Sequence, residues 1–189
     1  SDVTYVLGQP GQTYLIEAEG DPVPAIGVDR LPTGLRLVAH ADGSASIAGT
    51  PTGPPGTDVV EVRAQNAAGS TVETLTVTIQ QAPTFLERGP VVVTVGELAS
   101  VRLRTAGHPA PSIGLEGDLP VGLTFVDNGD GTATITGTPV DGPSSTPVTL
   151  TAVNVVADES LATSVRVIVR PETAAQPVTS SRPQPQREP

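Results

Sequence analysis

The stretch "DGTATITGTP", residues 130–139, repeats with small changes the letters "DGSASIAGTP" of residues 42–51, 88 positions earlier. Glycines, an acid and hydroxyls in one phrase fit a cation loop, a phosphate cradle, or a turn and strand that a fold needs twice. Asp-Gly is a favoured pair for tight hairpin turns, because glycine takes a positive φ without steric cost. A strand carrying Leu37, or Phe125 in the second occurrence, leads into it. A return strand follows, with Ala45 and Ile47, or Ala133 and Ile135, on one face. Gly49 and Gly137 end that strand, and the Thr-Pro pair behind them forbids further ladder bonds. The glycines precede no helical pattern, so they build no helix-terminus phosphate site. The phrase reads as a hairpin and a stop.

Working outward, the whole neighbourhood recurs. "GDPVPAIG" (20–27) returns as "GHPAPSIG" (107–114), "LPTGLRLV" (31–38) as "LPVGLTFV" (119–126), and "AQN" (64–66) as "AVN" (152–154). The offset grows from 87 to about 90 along the chain, so the second copy carries small loop insertions, where they cost least. Apolar residues alternate in both copies: Val3, Tyr5 and Leu7 match Val91, Val93 and Val95; Tyr14, Ile16 and Ala18 match Val101, Leu103 and Thr105. Val60, Val62 and Ala64 match Val148, Leu150 and Ala152, and Leu75, Val77 and Ile79 match Val165, Val167 and Val169. Period-two patterning with polar residues between means sheets with one buried and one wet face. No helical period is sustained. The fold class is therefore all-β: two tandem sandwiches of about seven short strands each, at residues 1–81 and 82–170, followed by a Pro-rich tail at 171–189.

The order G-x-P-x-P-x-I, LPxGL, DGxAxIxGTP, AxN resembles the He-PIG-type repeats of bacterial and phage surface proteins, relatives of the cadherin-like and immunoglobulin-like sandwiches. The resemblance covers residues 3–80 and 82–169. It implies stacked β-sandwich modules in exposed proteins used for spacing, adhesion or decoration, and it implies no catalytic residue.

Composition narrows the partners. The chain has 189 residues, 20 Gly, 20 Pro, no Cys and a net charge of −10. Without cysteine there is no disulfide, thiolate metal site or cysteine nucleophile. An acidic chain is repelled by phosphate backbones, so nucleic acid is not an expected partner. No apolar run reaches the roughly 18 residues of a membrane span. No signal peptide opens the chain, which tilts the expectation toward a virion rather than an exported protein. Between the copies, "QQAPTFLERGP" (80–90) reads as a strand lead-in or a joint stiffened by Pro83 and Pro90, with Phe85 packed on one module's end. The tail has five prolines and one strongly apolar side chain, Val178, and is expected to be extended or disordered.

Site chemistry is sparse. "DNGDG" (127–131) resembles a calcium loop, but Asp127 and Asp130 have the wrong spacing for a helix-loop-helix site, and the first copy keeps only Asp42. Asp21, Glu116, Asp118, Asp158 and Glu159 are the other acids that could gather at a sandwich end. His40 and His108 lie in no recognisable nucleophile, zinc or nucleotide motif. A sugar platform needs exposed rings, yet there is no Trp, and Tyr5, Tyr14 and Phe125 fall on faces expected to be buried. We therefore assign no catalytic, cofactor-binding or metal residue and expect no enzyme. The expected role is a non-enzymatic structural or recognition module on a virion or bacterial cell surface. Its partners would be proteins of a capsid, tail or cell wall, or surface glycans; the alternative is a carbohydrate-binding accessory module of an exported enzyme.

Overall fold

The computed structural model describes residues 1–87, 89–157 and 160–172, and among them the chain forms fourteen strands and no helix. The first half contains β1 (Asp2–Val6), β2 (Gln12–Ile16), β3 (Ala25–Val28), β4 (Leu35–Ala39), β5 (Ala45–Gly49), β6 (Gly56–Asn66) and β7 (Gly69–Phe85). The second contains β8 (Val91–Thr94), β9 (Ala99–His108), β10 (Ser112–Glu116), β11 (Leu123–Asp127), β12 (Thr132–Gly137), β13 (Ser144–Val153) and β14 (Leu161–Arg170).

Each half folds as two facing sheets. In the first, β1 runs parallel to β7, which pairs antiparallel with β6, and β6 with β3. Opposite lies the three-stranded sheet β2-β5-β4. In the second half β10-β13-β14-β8 repeats the first of these sheets, with β8 parallel to β14. The sheet β11-β12-β9 repeats the other, with an addition: the end of β7 pairs with β9, Phe85 standing opposite Thr105. The second sandwich thus has an eighth strand, borrowed from the first.

The alternation in the sequence becomes burial. Tyr5, Ile47, Val60, Leu75, Val77 and Ile79 form one core. Phe85, Val93, Leu103, Ile135, Leu150 and Val167 belong to a separate one. Along β7, Leu75, Val77 and Ile79 face the first core, and Pro83 and Phe85 are buried in turn. The segment 80–90, read from the sequence as a strand lead-in or a stiffened joint, is strand up to Phe85, and Phe85 is a core residue of the second sandwich. The Pro-rich tail from residue 173 onward lies outside the described residues.

Candidate functional site

The repeated motifs were the first candidates for chemistry, and each resolves into a repeated structural contact. In the hairpin between β4 and β5, His40 N–H donates to Ser44 O at 2.9 Å and Gly43 N–H to His40 O at 3.2 Å, with Gly43 at φ +88°. The turn is one residue longer than the tightest two-residue hairpin, because the glycine follows the bend as a left-handed bulge residue rather than forming its centre. The Asp42 carboxylate folds back on its own turn, accepting from Ser44 N–H at 3.0 Å and Ser44 Oγ at 2.7 Å. Asp130 does the same with Thr132 and also receives Arg102 Nη2 at 3.1 Å. These hydrogen bonds, the side-chain one first, hold both carboxyls below their ordinary range.

Asp127 is likewise occupied by the backbone: Oδ2 accepts from Ile113 N–H and Oδ1 from Gly129 N–H, each at 3.1 Å. The loop that resembles a cation site commits its carboxylates to backbone amides and neighbouring side chains. Among the described residues no group of three His, Cys, Asp or Glu side chains is placed to hold a metal ion. Asp21 lies at the cis Asp21–Pro22 bond, and Glu116 ends β10 in the other sandwich, with Asp118 beyond it. Asp158 and Glu159 lie outside the described residues.

His40 invites a catalytic reading, since its Nε2 lies 2.7 Å from Ser46 Oγ. The second copy argues otherwise. There Asn128 stands in the place of His40 and Thr134 in that of Ser46, and Asn128 Nδ2 donates to Thr134 Oγ1 at 3.1 Å. An amide has no base to offer, so the shared geometry is a cross-hairpin tie. The carboxylate needed to orient the imidazole, Asp42, is committed to Ser44. His108 is half-buried at the end of β9, opposite Gln81.

Two further motifs explain themselves only in three dimensions. Gly34 of "LPTGL" and Gly49 of "GTP" touch backbone to backbone: a Cβ on Gly34 would sit 2.0 Å from Thr50 O, and one on Gly49 2.1 Å from Gly34 O. Gly122 and Gly137 repeat this, with 2.0 Å in each direction. Asn66 of "AQN" donates through Nδ2 to Pro22 O at 2.6 Å, and Asn154 of "AVN" to Pro109 O at 2.9 Å and Gln81 O at 2.8 Å. Sequence reasoning registered these asparagines as repeat markers and missed their task, which is to hold the Pro-containing loop against the turn after β6 or β13. The recurring polar residue paired with a recurring loop proline was the available signal.

All four aromatic side chains pack on the cores: Tyr5 and Phe85 are buried, while Tyr14 and Phe125 are half-buried against them. Tyr5 Oη donates to Ile47 O at 2.8 Å, and burial, with the Tyr14 phenol as a smaller cause, pushes its pKa up to about 12. What the motifs leave unused is a cleft of about 280 Å³ at the edge of the first sandwich, lined by Tyr14, Ile16 and Leu75 together with Glu17, Glu19 and Glu73.

This arrangement of two sheets per half is similar to that of solved tandem immunoglobulin domains. A structure of titin domains A168–A169 superposes with a TM-score of 0.61 at 16% identity, over 91% of this chain and 95% of that one. The titin Ig tandem A164–A165 gives 0.53 at 16% identity, over 90% and 93%. A variant of the three-domain titin fragment I67–I69 gives 0.61 at 15% identity, over 91% of this chain; the chain spans 62% of that fragment. Both halves are immunoglobulin-like sandwiches. No family model matches the sequence, and no curated protein does. At such identities the likeness establishes the fold alone, a fold that hosts many functions.

Proposed function

We propose that this chain is a non-enzymatic structural or recognition module displayed on a bacterial cell surface or a phage virion, where it binds protein components of a larger assembly. The observation that carries this reading is the use of every repeated polar motif in holding the fold. Asp42, Asp130, Asn66, Asn154 and the pair His40–Ser46 all serve turns and loops. Chemistry, if it were the purpose of the repeat, would have kept some of these groups free. What remains for function is surface: strand edges, loops, and shallow clefts such as the one at the edge of the first sandwich.

The strand β7 supports a spacing role, since it enters the ladders of both sandwiches without an intervening loop. The He-PIG-type resemblance supplies the finer assignment to bacterial or phage surfaces. Fractionation of host cells and purified particles, with an antibody against the chain, tests it. The protein is expected to sediment with intact virions or with the cell envelope, and its recovery solely in the soluble cell fraction would overturn the display reading.

A further inference from the structure

The hairpin between β11 and β12 carries a reactive pair of residues that its repeat lacks. Asn128 is followed by Gly129, the one Asn-Gly step in the sequence, whereas His40 and Ala41 occupy those places in the first sandwich. The backbone nitrogen that follows an asparagine can close on the side-chain carbon Cγ and expel the amide, a reason such amides are thermolabile. A side chain on the following residue hinders that closure, and glycine has none.

The other asparagines are protected. Asn66 and Asn154 are followed by Ala67 and Val155, and both ends of their amides are engaged. Asn66 Nδ2 donates to Pro22 O, while its Oδ1 accepts from Ala68 N–H at 2.9 Å and Gly69 N–H at 3.1 Å. Asn154 Nδ2 donates to Gln81 O and Pro109 O, and its Oδ1 accepts from Val156 N–H at 3.1 Å. Asn128 is tied through its nitrogen: Nδ2 donates to Thr132 Oγ1 at 2.9 Å and to Thr134 Oγ1 at 3.1 Å, and among the described residues no donor reaches its Oδ1. Negative charge developing on that oxygen is left to water, because Asn128 is exposed.

The attacking nitrogen is favourably placed as well. Gly129 N–H donates to Asp127 Oδ1 at 3.1 Å, and a carboxylate acceptor draws the proton away and enriches the nitrogen in electrons. Gly129 stands at φ +76° in open space. The restraint is the tie to Thr132 and Thr134, which has to release before the ring closes. β11 lies at the end of its sheet with β12 as its neighbour, and an edge hairpin opens locally at small cost.

We propose that Asn128 is a site of spontaneous deamidation, and that this chemistry is confined to the second sandwich. The Gly129 nitrogen bonds to Asn128 Cγ and gives its proton to hydroxide. The Cγ–Nδ2 bond breaks, and Nδ2 takes a proton from water and departs as ammonia. Water then opens the succinimide at either carbonyl, leaving aspartate or isoaspartate; nothing is oxidised or reduced. Either product replaces the Nδ2 donors with a carboxylate beside Asp127 and Asp130, so the cross-hairpin tie is lost and like charges gather at one turn. Isoaspartate also adds a methylene to the backbone between β11 and β12. The inference is independent of the display reading.

The purified full chain, incubated in mildly alkaline buffer and mapped by mass spectrometry with the site located by fragmentation, provides the test. Asn128 is expected to gain about one dalton, faster as pH rises, with isoaspartate detected by its specific enzymatic methylation. Asn66 and Asn154 are expected to keep their mass over the same period. Asn128→Gln keeps the amide on a longer arm that would have to close a larger ring, and this chain is expected to stay unchanged. Amide exchange in the converted fraction should quicken in β11 and β12 and hold steady in the first sandwich, and Asn128→Asp should show the same pattern from the start. An Asn128 that remains intact while a synthetic peptide of residues 124–134 converts would overturn the proposal. So would equal gains at Asn66 or Asn154, or a gain at position 128 in the Asn128→Gln chain. Conversion that leaves exchange in β11 and β12 unaltered would overturn the loss of the tie.

Discussion

Among the described residues the core cluster of the second sandwich holds fourteen buried apolar residues and that of the first six, although both are built from the same motifs in the same order. Phe85 at the end of β7 is one visible part of that difference. In the second half the end of β7 caps the sheet β11-β12-β9, brings Phe85 inside and lengthens β9 to ten residues. In the first half β2 has five residues, and the positions equivalent to the capped ones stay partly open, with Tyr14 and Ile16 only half-buried. Burial stabilises by about 25 cal/mol per Å² of apolar surface, so the first sandwich is expected to unfold before the second.

The largest effect should come from undoing the closure. Phe85→Ala is expected to cost the second sandwich about 3–5 kcal/mol, the usual loss for a buried phenylalanine. Calorimetry would show its transition moving toward that of the first. Two well-separated transitions unchanged by the substitution would break the account of the asymmetry.

The glycine pairs come next. Gly34→Ala places a methyl 2.0 Å from Thr50 O at φ +94°, and Gly122→Ala does the same to Thr138 O at φ +93°. Left-handed strain and overpacking together are expected to cost about 2–5 kcal/mol at each. Amide exchange should report the loss in the first sandwich for Gly34→Ala and in the second for Gly122→Ala. Loss in both from either change would mean that the halves fold as one unit.

Tyr5 sharpens the comparison, because Val93 takes its place in the second sandwich. Tyr5→Phe leaves Ile47 O without its donor and is expected to cost the first sandwich about 1–3 kcal/mol. The phenol's folded pKa is raised to about 12. Its contribution is therefore complete below the unfolded value near 10 and lost as pH rises through 12. Alkali should destabilise the first sandwich selectively, and Tyr5→Phe should remove that selectivity.

The smallest expected effect is in acid, and here the halves should agree. Asp42 and Asp130 are both depressed below the ordinary carboxylate range by their turn hydrogen bonds. Their contributions are complete above the unfolded pKa and fade as pH falls through the folded one. Asp42→Asn and Asp130→Asn should each flatten the acid limb of their own sandwich's stability profile.

Much of this was legible in the letters, for physical reasons. The alternation of Val60, Val62 and Ala64, or of Val165, Val167 and Val169, is the pleat of a half-buried strand, and every aromatic expected on an inner face packs on a core. Asp-Gly announced the hairpins because few other pairs accept that bend. Contacts between distant positions were not legible. Nothing in "LPTGL" says that its glycine touches the glycine of "GTP", because the reason is the approach of two backbones. Pro83 left the run through residue 85 open between a strand lead-in and a joint, since proline supplies no donor; it is tolerated in the strand because it lies where only an outer edge and a register shift are involved.

The unbroken course of β7 also fixes how the spacing between the halves can change. Leu75, Val77, Ile79, Pro83 and Phe85 are all odd-numbered and all turned inward, so a single pleat phase runs from one interior into the next. Insertion of one residue between Ile79 and Pro83 would point Phe85 at solvent, whereas insertion of two would restore it. A change of spacing by whole dipeptides, about 6.6 Å each, therefore keeps Phe85 inward, whereas an odd change needs a further bulge like the register shift already present between Gln81 and Thr84.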